Sequence, residues 1–286
     1  MATPRYIGQI PVRDIELIDE NGVPYGIPHI NNKPRVSCTD YLYDIAMGLV
    51  PSHSIFGGSG RREAIAVVAT GSDIWDGTDT TIPVPVDAGE QLEIVSTAAA
   101  DDGNPVGTGL ATIHIHYLDA AGDAQTETVT LEGLTPVALN ESNVRFVQTM
   151  HALTAGTGHA AAGTITLYKQ GSAATIYSQI NIGRTGATST LRMVPRAKKA
   201  YLVGGVVTAT DKSVEISMRM TATSGELVPG IFLPYTTRFL HDSTVAATIL
   251  PIIVPALAMI KLTCYVPAGK AGADVSGQWY GWLENE

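Results

Sequence analysis

The sequence predicts an all-β protein: one or two antiparallel β-sandwich (jelly-roll-like) domains behind an extended amino-terminal arm with at most one short helix. Three observations carry this. From Glu63 onward, short runs rich in Val, Ile, Thr and Tyr alternate apolar and polar residues with period two. Turn residues return about every 8–12 positions, the spacing of sandwiches and jelly rolls. No helical pattern of about 10–15 residues separates the strands, which argues against a parallel βαβ sheet.

The elements follow in order. Residues 1–62 read as the arm, because Gly and Pro interrupt every apolar run in IGQIPVRDIELIDENGVPYGIPHINNKPRVS. One short hairpin is expected around Glu20-Asn21-Gly22, since Asn-Gly supplies the positive φ of a tight turn. TDYLYDIAMGLV is the helix candidate, with Thr39 as N-cap, Tyr43, Ala46 and Met47 on an apolar stripe, and Gly48 as terminator. PSHSIFGGSGRREA (51–64) reads as a glycine-rich linker. Strands are then expected at 64–70, 92–97, 112–118, 126–131, 144–152, 163–169 and 174–180, giving a first sandwich over 63–184. A boundary near TGATS (185–189) opens a second sandwich over 185–286, with strands at 190–194, 199–208, 214–220, 230–235, within 245–260, at 260–266 and at 275–283. A single large sandwich is the alternative.

The apolar run VAATILPIIVPALAMI (245–260) is shorter than the ~20 residues of a spanning helix and carries Pro251 and Pro255, so it reads as buried strand and no membrane partner is expected. MATPRYIGQIPVRD lacks the apolar centre of a secretory leader. Charged residues make up only 16% of the 286, below the ~25% usual for soluble domains, a profile that suits β proteins packed in assemblies. Eighteen basic against 27 acidic residues leave a net charge of −9, which argues against a nucleic-acid partner. The basic clusters are Arg61-Arg62 and RMVPRAKK (192–199); the second reads as a solvated strand end, with an anion site as the alternative. Cys38 and Cys264 form neither a disulfide framework nor a metal knuckle.

The stretch GTGLATIHIHYLDAAGDAQTETVTLEG (107–133) holds the densest chemistry. His114 and His116 share one face of a strand, with Ile113, Ile115 and Tyr117 on the other. Two such histidines begin a cupin metal site, but a cupin places a Glu four or five positions after the second, where Ala120 and Ala121 stand. His151 and His159 lie in no matching motif. His114 and His116 are therefore the only metal candidates, and they read as exposed strand histidines. DAAGD is a turn with Gly122 in a left-handed position, followed by a threonine face of Thr126, Thr128 and Thr130. GTG and PAGKAG lead into strands and fail the phosphate-loop pattern, and GGSG lacks the spacing of a nucleophile elbow. Asp101-Asp102 reads as a turn cap. Trp75, Trp279 and Trp282 read as core or interface packing, Trp279 on the core face and Trp282 on the other. No catalytic residue, cofactor or enzymatic activity is expected.

Several stretches together resemble a family of tailed-bacteriophage virion structural proteins. NKPRVSCTDYLYDIAMG is similar to that family's NKPRVS…YLYDIA run, and EIVSTAAADDGNPVGTGLATIHIHYLDAAG is similar to its SxSAxDxxxGTGxRxxxIxxLDxxG pattern. ETVTLEGLTPV, AGTITLY and the closing VSGQWYGWLEN continue the likeness. The sequence departs at Leu110, where the family has Arg, and over residues 240–260. The resemblance implies a non-enzymatic virion protein, assembled in the host bacterial cytoplasm. The resemblance does not fix the place in the virion; an arm plus sandwich suits a capsid-surface decoration protein, a homo-oligomer in contact with the major capsid protein or other virion proteins. A tail-vertex or fibre component is the alternative, and a host-glycan-binding module the alternative from another class. The assembly interface is expected at Tyr6, Tyr25, Arg35, Tyr41 and Tyr43 of the arm and at Trp282.

Overall fold

The computed structural model describes residues 5–286 apart from 8–9, 13–16, 19–23, 26–28, 31–32, 35–37, 66–70, 78, 222–231 and 268–270; side chains are further left undescribed before residue 41 and at 211–213, 220–221, 232–243 and 247–251. The chain divides into two units, 1–54 and 55–286. Among the described residues the strands pair antiparallel, and the protein is all-β with one short helix.

In the first unit, β1 (Arg5–Ile7) pairs with β2 (Ile10–Val12), β3 (Leu17–Ile18) with β4 (Pro24–Tyr25), and β5 (His29–Ile30) with β6 (Lys33–Pro34). The β3–β4 pair flanks Glu20-Asn21-Gly22, the expected hairpin position, whose turn itself lies outside the described residues. Helix α1 spans Cys38–Ala46, so Thr39 falls inside its first turn and not at the position before it that an N-cap occupies. Gly48 ends it as expected, at φ 69°, with Gly48 N bonded to Ile45 O (2.9 Å) and Leu49 N to Asp44 O (2.8 Å). That pair of bonds is a Schellman close. The apolar stripe differs from the expected one. Ile45 is buried and Tyr41 half-buried, whereas Tyr43 and Met47 are 60% and 59% exposed. The inward face thus runs through 41 and 45, one turn apart.

The larger unit begins within β7 (His53–Ile65), from its third residue, and this strand lies beside the carboxy-terminal strand in a seven-stranded sheet. A strand here replaces the linker that its glycines suggest. Those glycines mark close backbone approach. A Cβ on Gly57 would lie 2.7 Å from Trp279 O, on Gly58 2.7 Å from Thr190 O, and on Gly60 2.3 Å from Ile74 O. Of the strand expected at 64–70, the first two residues belong to β7 and the rest lie outside the described residues. The short β8 (Ser72–Asp73) joins the same sheet.

The sandwich comes next. One sheet orders β11 (Ala124–Thr130), β10 (Leu110–Asp119) and β13 (Val144–Ala155); the other orders β12 (Val137–Ala138), β9 (Leu92–Ser96), β14 (Ile165–Lys169) and β15 (Ser172–Ile180). Period-two alternation sends Leu92 and Ile94, Ile113 and Ile115, and Ile165 and Leu167 into one shared core, each fully buried. Each such side chain contributes roughly 1.5–3 kcal/mol of transfer free energy.

The seven-stranded sheet is built on one long strand, β17 (Lys198–Thr221), with β16 (Arg192–Met193), β18 (Phe232–Val254), β19 (Met259–Tyr265) and β20 (Ala273–Asn285) around it. The polar Thr210-Asp211-Lys212 suggests two strands, 199–208 and 214–220. The structure has one strand with a register shift between Ala209 and Ser213. On one edge β17 pairs with β18 throughout. On the other it pairs with β20 up to Thr210 and with β19 from Glu215. The irregularity thus marks the hand-over from one neighbour to the next, as bulges commonly do. The sheet closes over its own core of Leu202, Ile216, Leu262, Val275 and Trp279. A smaller seam of Trp75, Leu118, Phe146, Met193 and Met259 binds the sandwich to it. The TGATS stretch is tied down at its end, where Ser189 bridges to both Ser59 and Trp75.

Candidate functional site

The histidines of β10 lie as the strand period requires. Ile113, Ile115 and Tyr117 are buried, and His114 and His116 are half-buried on the opposite face. The register of β13, which sequence alone does not give, sets His151 opposite His114. Three imidazoles therefore meet: the ring centroids of His114 and His116 are 4.6 Å apart, of His114 and His151 5.4 Å, and of His116 and His151 5.6 Å. The first two contacts are edge-to-face and the third is stacked. Threonines of the neighbouring strands surround them, and Thr128 Oγ1 lies 3.0 Å from His114 Nδ1.

The acids that follow in the sequence are committed elsewhere. Asp119 accepts from Ala121 N, Asp123 N and Gln125 Nε2 and so shapes the turn, in which Gly122 sits at φ 86°. Asp123 forms a two-pronged pair with Arg196, at 3.0 and 2.6 Å. Glu127 accepts from the backbone and side chain of Asn140, both at 2.8 Å. Among the described residues no group of three or more His, Cys, Asp or Glu is arranged to hold a metal ion.

Of the three imidazoles, His116 is held away from its ordinary range. Burial, and then the neighbouring His114 and His151, hold His116 below the ordinary histidine range. In the unfolded chain His116 titrates near about 6.5. The unfolded chain therefore binds more protons between that value and the lower folded one, so stability falls as pH drops through this window and levels off below it. The melting temperature is expected to fall from about pH 8 to pH 5.5, and His116→Asn is expected to flatten that fall; an identical slope in the variant refutes the coupling.

The DxxxxxGTG spacing is a structural knot. Asp101 is fully buried, and its two oxygens accept from Ser96 Oγ (2.6 Å), Leu110 N (2.8 Å), Ala162 N (2.9 Å) and Gly163 N (2.8 Å). A Cβ on Gly109 would sit 2.1 Å from Asp101 Oδ1, and one on Gly107 2.2 Å from Ala100 O. The glycines thus serve a buried carboxylate and cradle no phosphate. Asp101 caps a turn, as its neighbourhood suggests, but it also ties together three loops.

Tyr6 and Tyr25 lie in β1 and β4, with side chains outside the described set, and Arg35 lies outside the described residues. Tyr41 Oη is 2.9 Å from His53 Nε2, whereas Tyr43 projects into solvent. Trp279 is buried and donates to Thr190 O at 2.8 Å. Trp282, on the outer face, stacks on Tyr201 at 5.2 Å and 9°. Cys264 is buried and free, and burial pushes its thiol up to about 12. The basic run 192–199 is not uniformly solvated. Arg196 and Lys199 pair at the surface with Asp123 and Glu286, but Arg192 is buried. The pattern of LRMV, with Arg between apolar neighbours, is the signal that points inward.

No family model and no curated protein matches the sequence. Among solved structures, the chain is similar to the D431N mutant VP2 protein of infectious bursal disease virus in derived T=1 particles, at 11% identity over 86% of this chain and 75% of that one, with a TM-score of 0.19. A structure of the infectious bursal disease virus Gt strain gives 11% identity, 85% and 77% coverage, and a TM-score of 0.18. Superpositions this poor do not establish a common fold.

Proposed function

We propose that the protein is a non-enzymatic structural component of a tailed-phage virion, a decoration protein on the capsid surface, held in place by its arm. The observation that carries the reading is the make-up of residues 1–54. Among the described residues before α1, the strands are two or three residues long and form three separate two-stranded pairs. An isolated pair of this kind is marginal in water. Next to them, α1 and its exit expose Tyr43 (60%), Met47 (59%) and Leu49 (40%). Such a segment gains its stability by lying on another surface, and in an assembly that surface belongs to a neighbouring subunit. The resemblance of NKPRVS…YLYDIA and the GTG…ETVTLEG block to phage virion proteins supplies the kind of assembly. The acids and histidines of the best candidate site serve turns, strand pairing and packing, which is in keeping with a protein that assembles and does not catalyse.

Deleting residues 1–52 tests this. The cut stops at His53 because β7 contributes the buried Phe56 to the sheet core. The truncated protein is expected to remain folded with a near-native melting temperature while losing incorporation into particles. An unfolded product places the arm within the core, and normal incorporation removes its role. Copy number separates the positions: hundreds of copies per particle fit the shell, whereas one ring of subunits fits the tail vertex or a fibre.

A further inference from the structure

We propose that Arg192 anchors a carboxylate-binding site in the cleft that β10, β11 and β13 form with β7 and β20. Arg192 lies on β16 and is 8% exposed. Its Nη1 donates to the carbonyl of the adjacent Leu191 at 2.7 Å, and no carboxylate among the described residues reaches its guanidinium. That isolation sets it apart from Arg61, Arg145 and Arg196, each of which lies within 4 Å of an Asp or Glu oxygen. It occurs in a chain with 27 acidic residues to 18 basic ones, where a partner would be easy to supply. Burial alone, with no compensating acid, draws the Arg192 guanidinium down to about 10. A buried cation without a partner is costly, and that cost is recovered when an anion arrives from outside.

The cleft itself has room for more than an ion. Its volume is about 310 Å³, and it is lined by Arg192, His116, Thr126 and Thr149 on a polar side and by Phe56 and Leu283 on an apolar one. At about 30 Å³ per water, this corresponds to roughly ten waters, the bulk of one monosaccharide or one amino-acid residue. A planar guanidinium recognises a carboxylate through two parallel N–H donors. The threonine hydroxyls and the His116 imidazole offer further hydrogen bonds, and the apolar wall accommodates the ligand's carbon frame. One buried positive charge matches one negative charge, which favours a carboxylate over a phosphate dianion. Within RMVPRAKK, the anion site is thus confined to the first residue.

The test uses the full chain with sodium glucuronate and N-acetylglutamate α-methylamide as singly charged probes, and glucose and N-acetylglutamine α-methylamide as their neutral counterparts. Binding is followed by calorimetry and by the shift in melting temperature. At least one carboxylate probe is expected to bind and raise the melting temperature, and its neutral counterpart to do neither. Arg192→Met is expected to keep or raise the melting temperature of the free protein while weakening the probe at least tenfold; Arg192→Lys, which keeps the charge but loses the fork, is expected to weaken it by less. Preference for glucuronate identifies a sugar acid as the source of the carboxylate, and preference for N-acetylglutamate α-methylamide an acidic side chain. The proposal is overturned if neither carboxylate outperforms its neutral counterpart, or if Arg192→Met binds the probe as well as the native chain. Should Arg192→Met fail to fold, the comparison of charged and neutral probes on the native chain still decides.

Discussion

Replacing Asp101 with Ala is expected to cost about 3–5 kcal/mol of folding stability, enough to unfold a marginal domain. Two buried backbone N–H groups, a third that is part-buried and the Ser96 hydroxyl would lose their acceptor at once. Each unmet buried donor costs roughly 1–3 kcal/mol, and bonds to a charged acceptor lie at the upper end. Asp101→Asn preserves shape but turns an NH₂ toward donors, so it is expected to lose most of the same stability. Ser96→Ala removes one contact of the four and is expected to cost about 1 kcal/mol. Urea denaturation checks the series. Equal midpoints for Asp101→Asn and the native chain would show that the knot contributes little.

The second large effect is expected at Trp279. Its side chain is 1% exposed, meets Phe56 edge-to-face at 5.3 Å, and reaches Thr190 O through Nε1 at 2.8 Å. One residue thus joins β20, β7 and the segment leading to β16. Trp279→Ala is expected to cost about 3–5 kcal/mol through lost burial and the cavity left behind. Trp279→Phe retains much of the packing but strands the Thr190 carbonyl, at roughly 1–3 kcal/mol. Thermal unfolding monitored by circular dichroism gives both values. A loss in the Phe variant as large as in Ala would assign the effect to the hydrogen bond.

How far the sequence reveals this molecule depends on whether a feature is local. Strand period is local, so the faces of β10 and β20 are legible: Ile113 and Ile115 inside, Val275 and Trp279 inside, Trp282 outside. Turn chemistry is local, and Gly48 and Gly122 hold the positive φ expected of them. Register between distant strands is not. His151 joins His114 through a pairing that spans 37 positions, and no periodicity in either strand announces it. The glycines of β7 mislead for the same reason. Flexibility and close approach both favour Gly, and only the backbone of Trp279, Thr190 and Ile74 distinguishes them. The Tyr43–Met47 stripe fails because a two-turn helix offers too few positions to fix its inward face.

The pairing of β7 with β20 also sets a timetable. Every strand of the sandwich lies between Leu92 and Ile180, so that layer has all its partners once the ribosome has passed residue 180. The seven-stranded sheet does not. β7 is made near the beginning yet has no neighbour on the β20 side until Ala273–Asn285 emerges. For the time needed to translate some two hundred residues, at about 5–20 per second, the edge of β7 is exposed to other nascent chains. Its glycines present no apolar side chains during that wait, which lowers the chance that the unfinished edge pairs with the wrong partner.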